Sequence, residues 1–169
     1  MTPSDFAREY LPDPWGERDL QKLIQRRIRS WGFIQCPDEV RITTKATTRR
    51  SDLETFWARY ELKKELNYEN LKSALGQLYL YNHYGEKILG FIPKRKVIIG
   101  LAPSEWGEYQ SAVKLAIDIR GMGIKVIFIN EEPNWHSSRL TRWQFQALCV
   151  TGGAIAAFTI SALISALAQ

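Results

Sequence analysis

The charges of this chain stop at Arg142. The 27 residues beyond it carry no ionisable side chain except the weak thiol of Cys149. A chain divided in this way has a charged part that can fold in water and an apolar tail that needs another kind of burial. Within the tail, Phe145 to Ala168 is 24 residues, 17 of them apolar. As a helix it would span roughly 36 Å, enough for a hydrocarbon core of about 30 Å. Arg139 and Arg142 stand just before it, and Trp143 is placed as an interfacial anchor. The positive-inside rule then keeps the N-terminal part cytoplasmic. The opening residues MTPSDFAREYLPDPW lack the apolar core of a signal peptide. The expectation is a single-pass, tail-anchored membrane protein, with a juxtamembrane segment and transmembrane helix over residues 138–169. Such a run also fits a long uncharged helix buried in the domain or in an oligomer. Gly153, Ala157, Ser161 and Ser165 recur every fourth residue. This small-residue stripe lets backbones approach and could pair two copies as a homodimer.

Composition narrows the rest. With 45% apolar and 24% charged residues, a disordered chain is excluded. Twenty-three Lys and Arg against 18 Asp and Glu give a net charge of +5, which favours a polyanionic partner. Cys36 and Cys149 match neither a zinc spacing nor a disulfide framework, as suits a reducing compartment. His83 and His136 are the only histidines, which excludes a multi-histidine metal site and argues against a His-based triad. No Gly-x-x-x-x-Gly-Lys-Ser/Thr element exists, so nucleotide hydrolysis is not expected.

Along the charged part, residues 1–13 read as a loose arm and residues 14–137 as one domain. Leu20, Leu23, Ile24 and Ile28 fall at helical spacing between Pro14 and Trp31. Val40 to Thr48 alternates and is β-branched, a strand, and Ser51–Asp52 reads as a bend or strand start. Phe56 to Lys63 is a further strand. Asn67 to Tyr81 and Glu105 to Ile119 are helices. KVIIGL (Lys96–Leu101) and IKVIFI (Ile124–Ile129) are short strands of the buried type. The fold class is therefore α/β, a mixed sheet with helices on its faces.

The strand from Phe56 to Lys63 carries the chemistry. Side chains alternate across a strand, so Phe56, Ala58, Tyr60 and Leu62 make an apolar face. Glu61 and Lys63 share the other face, roughly 7 Å apart along the strand. Asp52 lies nine residues upstream of Glu61, where a hairpin could bring the two carboxylates together. Two carboxylates suit Mg²⁺ or Mn²⁺, and a lysine beside them could orient a water or offset charge developing on phosphorus. The plainer alternative is a solvated strand face with a minor ion pair.

Asp52, Glu61-x-Lys63 and the following run Leu75-Gly76-Gln77-Leu78-Tyr79-Leu80-Tyr81 together resemble the PD-(D/E)xK nuclease superfamily. The likeness extends over about residues 14–130. It implies a restriction-endonuclease-like fold in which Asp52 and Glu61 hold Mg²⁺ and Lys63 assists attack of water on a phosphodiester. It also implies that Gln77, on the next helix, completes the site, and that Glu17 is the acid of the first helix. Ser51 stands where the name pattern has Pro.

Two basic groups could meet DNA phosphates: Arg41, Lys45, Arg49 and Arg50, then Lys94, Arg95 and Lys96. Both could instead face anionic lipid headgroups or bulk solvent. Trp106, Trp135 and His136 read as packing or loop residues, and Tyr79 and Tyr81 as packing at the edge of the site. The leading expectation is a membrane-tethered, Mg²⁺-dependent DNA endonuclease. The alternative is a non-catalytic scaffold of the same fold, anchored to a membrane and binding a protein complex or nucleic acid. A third is a soluble nuclease whose C-terminal helix builds an oligomer core.

Overall fold

Two buried strands with a helix between them are the part of the chain with the fewest ways to fold. The computed structural model describes residues 1–29, 36–43, 48–85, 87, 88 and 90–132. In it β4 (Arg95–Leu101) and β5 (Ile124–Phe128) lie parallel, joined by α4 (Trp106–Gly121). On the other side of β4, β3 (Ala58–Glu65) is also parallel to it, joined through α3 (Tyr68–Tyr84). Crossovers of the favoured hand that advance in one direction put both helices on one face of the sheet. There Leu71, Ala74 and Leu78 of α3 and Ala112, Ala116 and Ile119 of α4 bury against Ile98, Val126 and Phe128.

β1 (Asp38–Thr43), β2 (Thr48–Glu54) and β3 run antiparallel, completing a mixed sheet in the order β1-β2-β3-β4-β5. Its other face is covered by α1 (Pro3–Tyr10) and α2 (Glu17–Arg29). Leu20, Ile24 and Ile28 of α2 are buried there with Ala58, Tyr60 and Leu62 of β3. Each large aliphatic side chain so buried contributes about 1.5–3 kcal/mol. Glu17 and Asp19 in the first turn of α2, and Arg26, Arg27 and Arg29 in the last, complement the helix dipole. Among the described residues the architecture is thus an α/β domain with a five-stranded mixed sheet and four helices.

Three segments differ from the sequence reading. Residues 1–13 are no loose arm. Thr2 caps α1 by accepting the Asp5 amide hydrogen at 3.1 Å, Pro3 sits at the helix start, and Phe6 is fully buried in the core. Val40 to Thr48 is not one strand: Thr43 is the partner of Thr48, so the run spans the junction of β1 and β2. Ser51 and Asp52 therefore lie inside β2. Phe56 and Trp57 are not strand residues either. They form the exposed tip of the β2–β3 hairpin, closed by the Thr55 amide donating to the Ala58 carbonyl at 2.8 Å.

The chain divides into two compact units, Met1–Trp135 and His136–Gln169. Phe145–Ala168 belongs to the second, and its expected membrane span and small-residue stripe lie outside the described residues. Among the described residues no helix is long and apolar enough to cross a membrane.

Candidate active site

The polar face of β3 is covered, not solvated. α3 packs over it, so Arg59 and Glu61 are only 3% and 2% exposed. Burying polar groups this deeply is costly unless each finds a partner. Arg59 has one at Glu54, through two hydrogen bonds of 3.0 Å, and also donates to the Tyr81 carbonyl of α3 at 2.6 Å. Glu61 is half satisfied. Its Oε1 accepts from Lys63 Nζ at 2.9 Å, while Oε2 is buried with no hydrogen-bond partner among the described residues. Lys63 donates a second hydrogen bond to Gln77 Oε1 of α3 at 3.2 Å. Strand alternation and the helix crossover thereby bring Glu61, Lys63 and Gln77 together.

Asp52 joins them because the β2–β3 ladder is short. Its pairs are Leu53 with Tyr60 and Glu54 with Arg59. Past them, the Leu62 amide donates to Asp52 Oδ2 at 2.6 Å, a side chain standing where a ladder carbonyl would otherwise be. From the opposite face of the sheet, Gln21 Nε2 of α2 holds the Asp52 carbonyl at 2.7 Å. Glu17, the exposed first residue of α2, makes no hydrogen bond to the group, yet its charge acts on Asp52, Glu61 and Lys63 alike.

The electrostatics follow from this crowding. Burial, reinforced by the charge of Asp52 and opposed by Lys63, pushes the Glu61 carboxyl up to about 8. Burial also raises Asp52, against the Leu62 amide and the Lys63 charge, which favour its ionised form. For Lys63 burial works toward the neutral amine, but Glu61, Asp52 and Glu17 together outweigh it and hold the ammonium above its ordinary range. Lys63 is therefore a hydrogen-bond donor and a fixed cation at neutral pH, not a base.

A divalent cation is compatible with these groups. Among the described residues no three His, Cys, Asp or Glu side chains cluster closely enough to hold a metal by themselves. Two carboxylates, with water and substrate phosphate filling the remaining positions, are nonetheless the usual set for Mg²⁺. The orphaned Oε2 of Glu61, beside a second acid, is an oxygen whose desolvation such an ion would offset.

The basic residues separate. Lys94 is committed to the buried Glu54 carboxylate and its side chain is only 10% exposed, a poor position from which to meet a phosphate. Lys96 sits 4.8 Å from the ring centroid of Tyr79. Arg95 is exposed at the start of β4. Arg50 is exposed and pairs with Glu39 at 2.7 Å. Arg41 in β1 pairs with Arg50, and Arg49 in β2 pairs with Ile42; the side chains of Arg41 and Arg49 are not described, and Lys45 lies outside the described residues.

Several residues that build the site were not singled out in the sequence. Glu54 and Arg59 tie β2 to β3 just behind the hairpin tip. Gly100 of β4 faces Lys63 across the ladder, and a Cβ there would collide with the Lys63 carbonyl oxygen and approach Leu66 Cγ to 2.8 Å. Gln21 had a signal, as a polar residue next to the buried stripe of α2. Gly100 had none, because a glycine inside a buried strand marks a close approach without naming what approaches. No protein-family model matches this chain, and neither does any curated protein or solved structure.

Proposed function

We propose that the domain is a divalent-metal-dependent nuclease that hydrolyses phosphodiester bonds in DNA, on a restriction-endonuclease-like fold. The observation that carries this reading is the meeting of Asp52, Glu61, Lys63 and Gln77 from three elements, around a buried carboxylate oxygen with no hydrogen-bond partner among the described residues. Asp52 and Glu61 would hold Mg²⁺ or Mn²⁺. Such an ion supplies Lewis-acid polarisation of a phosphoryl oxygen and an acidified water. Lys63 has three donors, of which Glu61 and Gln77 take two. Among the described residues the third has no partner, and it would orient the attacking water or stabilise charge gathering on the phosphoryl oxygens. Gln77 anchors the ammonium, and Glu17 adds negative potential at the rim.

The expected result is plasmid cleavage by the full chain in Mg²⁺ or Mn²⁺, abolished by EDTA. Glu61→Ala and Lys63→Ala are each expected to reduce the rate by at least about 100-fold. Cleavage that survives both substitutions would remove the assignment. The absence of a third ligand side chain among the described residues is what favours the scaffold alternative. That alternative predicts nucleic-acid or protein binding with no cleavage under any divalent ion. Tethering by Phe145–Ala168 is part of the proposal and rests on the length and uncharged character of that run. It is checked by partition of the full chain into detergent rather than buffer.

A further inference from the structure

A surface cavity of about 340 Å³ is lined by four charged residues, Arg18, Asp38, Glu39 and Arg50. It lies on the Asp52 side of the site. Glu39 stands opposite Asp52 in the β1–β2 ladder, between the pairs Asp38 with Leu53 and Val40 with Ser51, and its charge acts on Asp52. Arg18 directly follows Glu17. It also lies three residues, about one helical turn, before Gln21, whose amide holds the Asp52 carbonyl. The cavity wall is therefore built from neighbours of the residues that position Asp52.

Its two cations are in different states. Arg50 Nη1 holds Glu39 Oε2 at 2.7 Å, with both side chains about half exposed. An exposed ion pair of this kind adds little stability, so another anion can replace the carboxylate at little cost. Arg18 has no hydrogen bond or ion pair among the described residues. Guanidinium forks match phosphate oxygens as well as they match carboxylates.

We propose that Arg18 and Arg50 clamp a backbone phosphate of the nucleic acid beside the scissile bond, with Glu39 holding Arg50 in place until that phosphate displaces it. This rests on the nuclease reading and adds the residues that seat its substrate. A phosphate contact positions the strand without reading bases, so the clamp contributes affinity and register but no sequence preference. Asp38 and Glu39 oppose the incoming phosphate, which makes Glu39 a brake on binding.

The test is binding of a fluorescent DNA duplex to the detergent-purified full chain, with Ca²⁺ replacing Mg²⁺, followed by anisotropy across a KCl series. Arg18→Ala and Arg50→Ala are each expected to weaken binding by about three- to tenfold and to reduce the salt slope by about one. Lysine at either position should restore the slope. Glu39→Gln should tighten binding. Circular dichroism should show all variants folded, since these side chains are at the surface. If either alanine variant keeps the wild-type affinity and salt slope, the clamp is wrong. If that happens while cleavage still depends on Glu61 and Lys63, the nuclease reading stands alone. A wild-type chain that neither binds nor cuts DNA in any divalent ion would overturn both.

Discussion

Glu61 is a carboxyl group in a place that favours its protonated form. Burial pushes its carboxyl up to about 8, against an ordinary value of 4.5. Between those two values the folded chain keeps a proton that the unfolded chain has lost. Folding stability therefore falls as pH rises through that window. Glu61→Gln keeps the shape and removes the titration. In EDTA it should make the protein more stable than wild type at pH 8 by about 1–3 kcal/mol, with the difference shrinking toward pH 5. Urea melts of both proteins at the two pH values check this, and equal slopes against pH would contradict it. At this scale much of the site was legible. Glu61 and Lys63 fall two apart on one strand, so alternation alone put them on one face; a hairpin was expected to bring Asp52 beside Glu61, and the superfamily resemblance suggested Gln77 and Glu17 as further members. Glu54 and Arg59 were not legible as a pair, because sequence spacing does not show that a hairpin closes between them. The same ignorance let Lys94 read as a phosphate contact when its charge is taken by Glu54.

Among the elements, the hairpin of β2 and β3 with its neighbour β4 matters most. Its turn end is fixed by Glu54, Arg59 and the Tyr81 carbonyl, and away from the turn it opens enough for Asp52 to take the Leu62 amide. β4 then backs β3 so closely at Gly100 that no side chain fits there. Gly100→Ala must push the Lys63 backbone away. It is expected to cost about 1–3 kcal/mol of stability. It should also reduce cleavage at least tenfold at a temperature where the variant remains folded, measured as single-turnover rate beside a urea melt. A variant that lost stability but cut at the wild-type rate would show that Lys63 needs no such backing. Element boundaries were the weak part of the sequence reading here. Thr44-Lys45-Ala46-Thr47 contains no Gly, Pro, Asn or Asp, so the β1–β2 junction carried no turn signal and the two strands read as one. Phe56 and Trp57 read as strand because aromatic residues favour strands, although in the fold they are exposed at the hairpin tip.

For the molecule as a whole, the parallel half was legible and the outer layer was not. KVIIGL and IKVIFI are apolar throughout, which requires cover on both faces, and the helices at Asn67 and Glu105 supply one face. The second face needed α1 as well as α2, and α1 is only eight residues long, two turns beside several prolines, too short to be told from an arm. Phe6→Ala is expected to destabilise the domain by about 3–4 kcal/mol, read as a lower urea midpoint with unchanged slope. A loss below about 1 kcal/mol would return residues 1–13 to the status of an arm. The ammonium of Lys63 is held jointly by a strand acid two residues away and a helix amide 14 residues further along the chain. A nascent or denatured segment containing only the hairpin would own both acids but no fixed cation between them. On the proposed nuclease reading, cleavage would await the docking of α3, whose Gln77 completes the hold on Lys63.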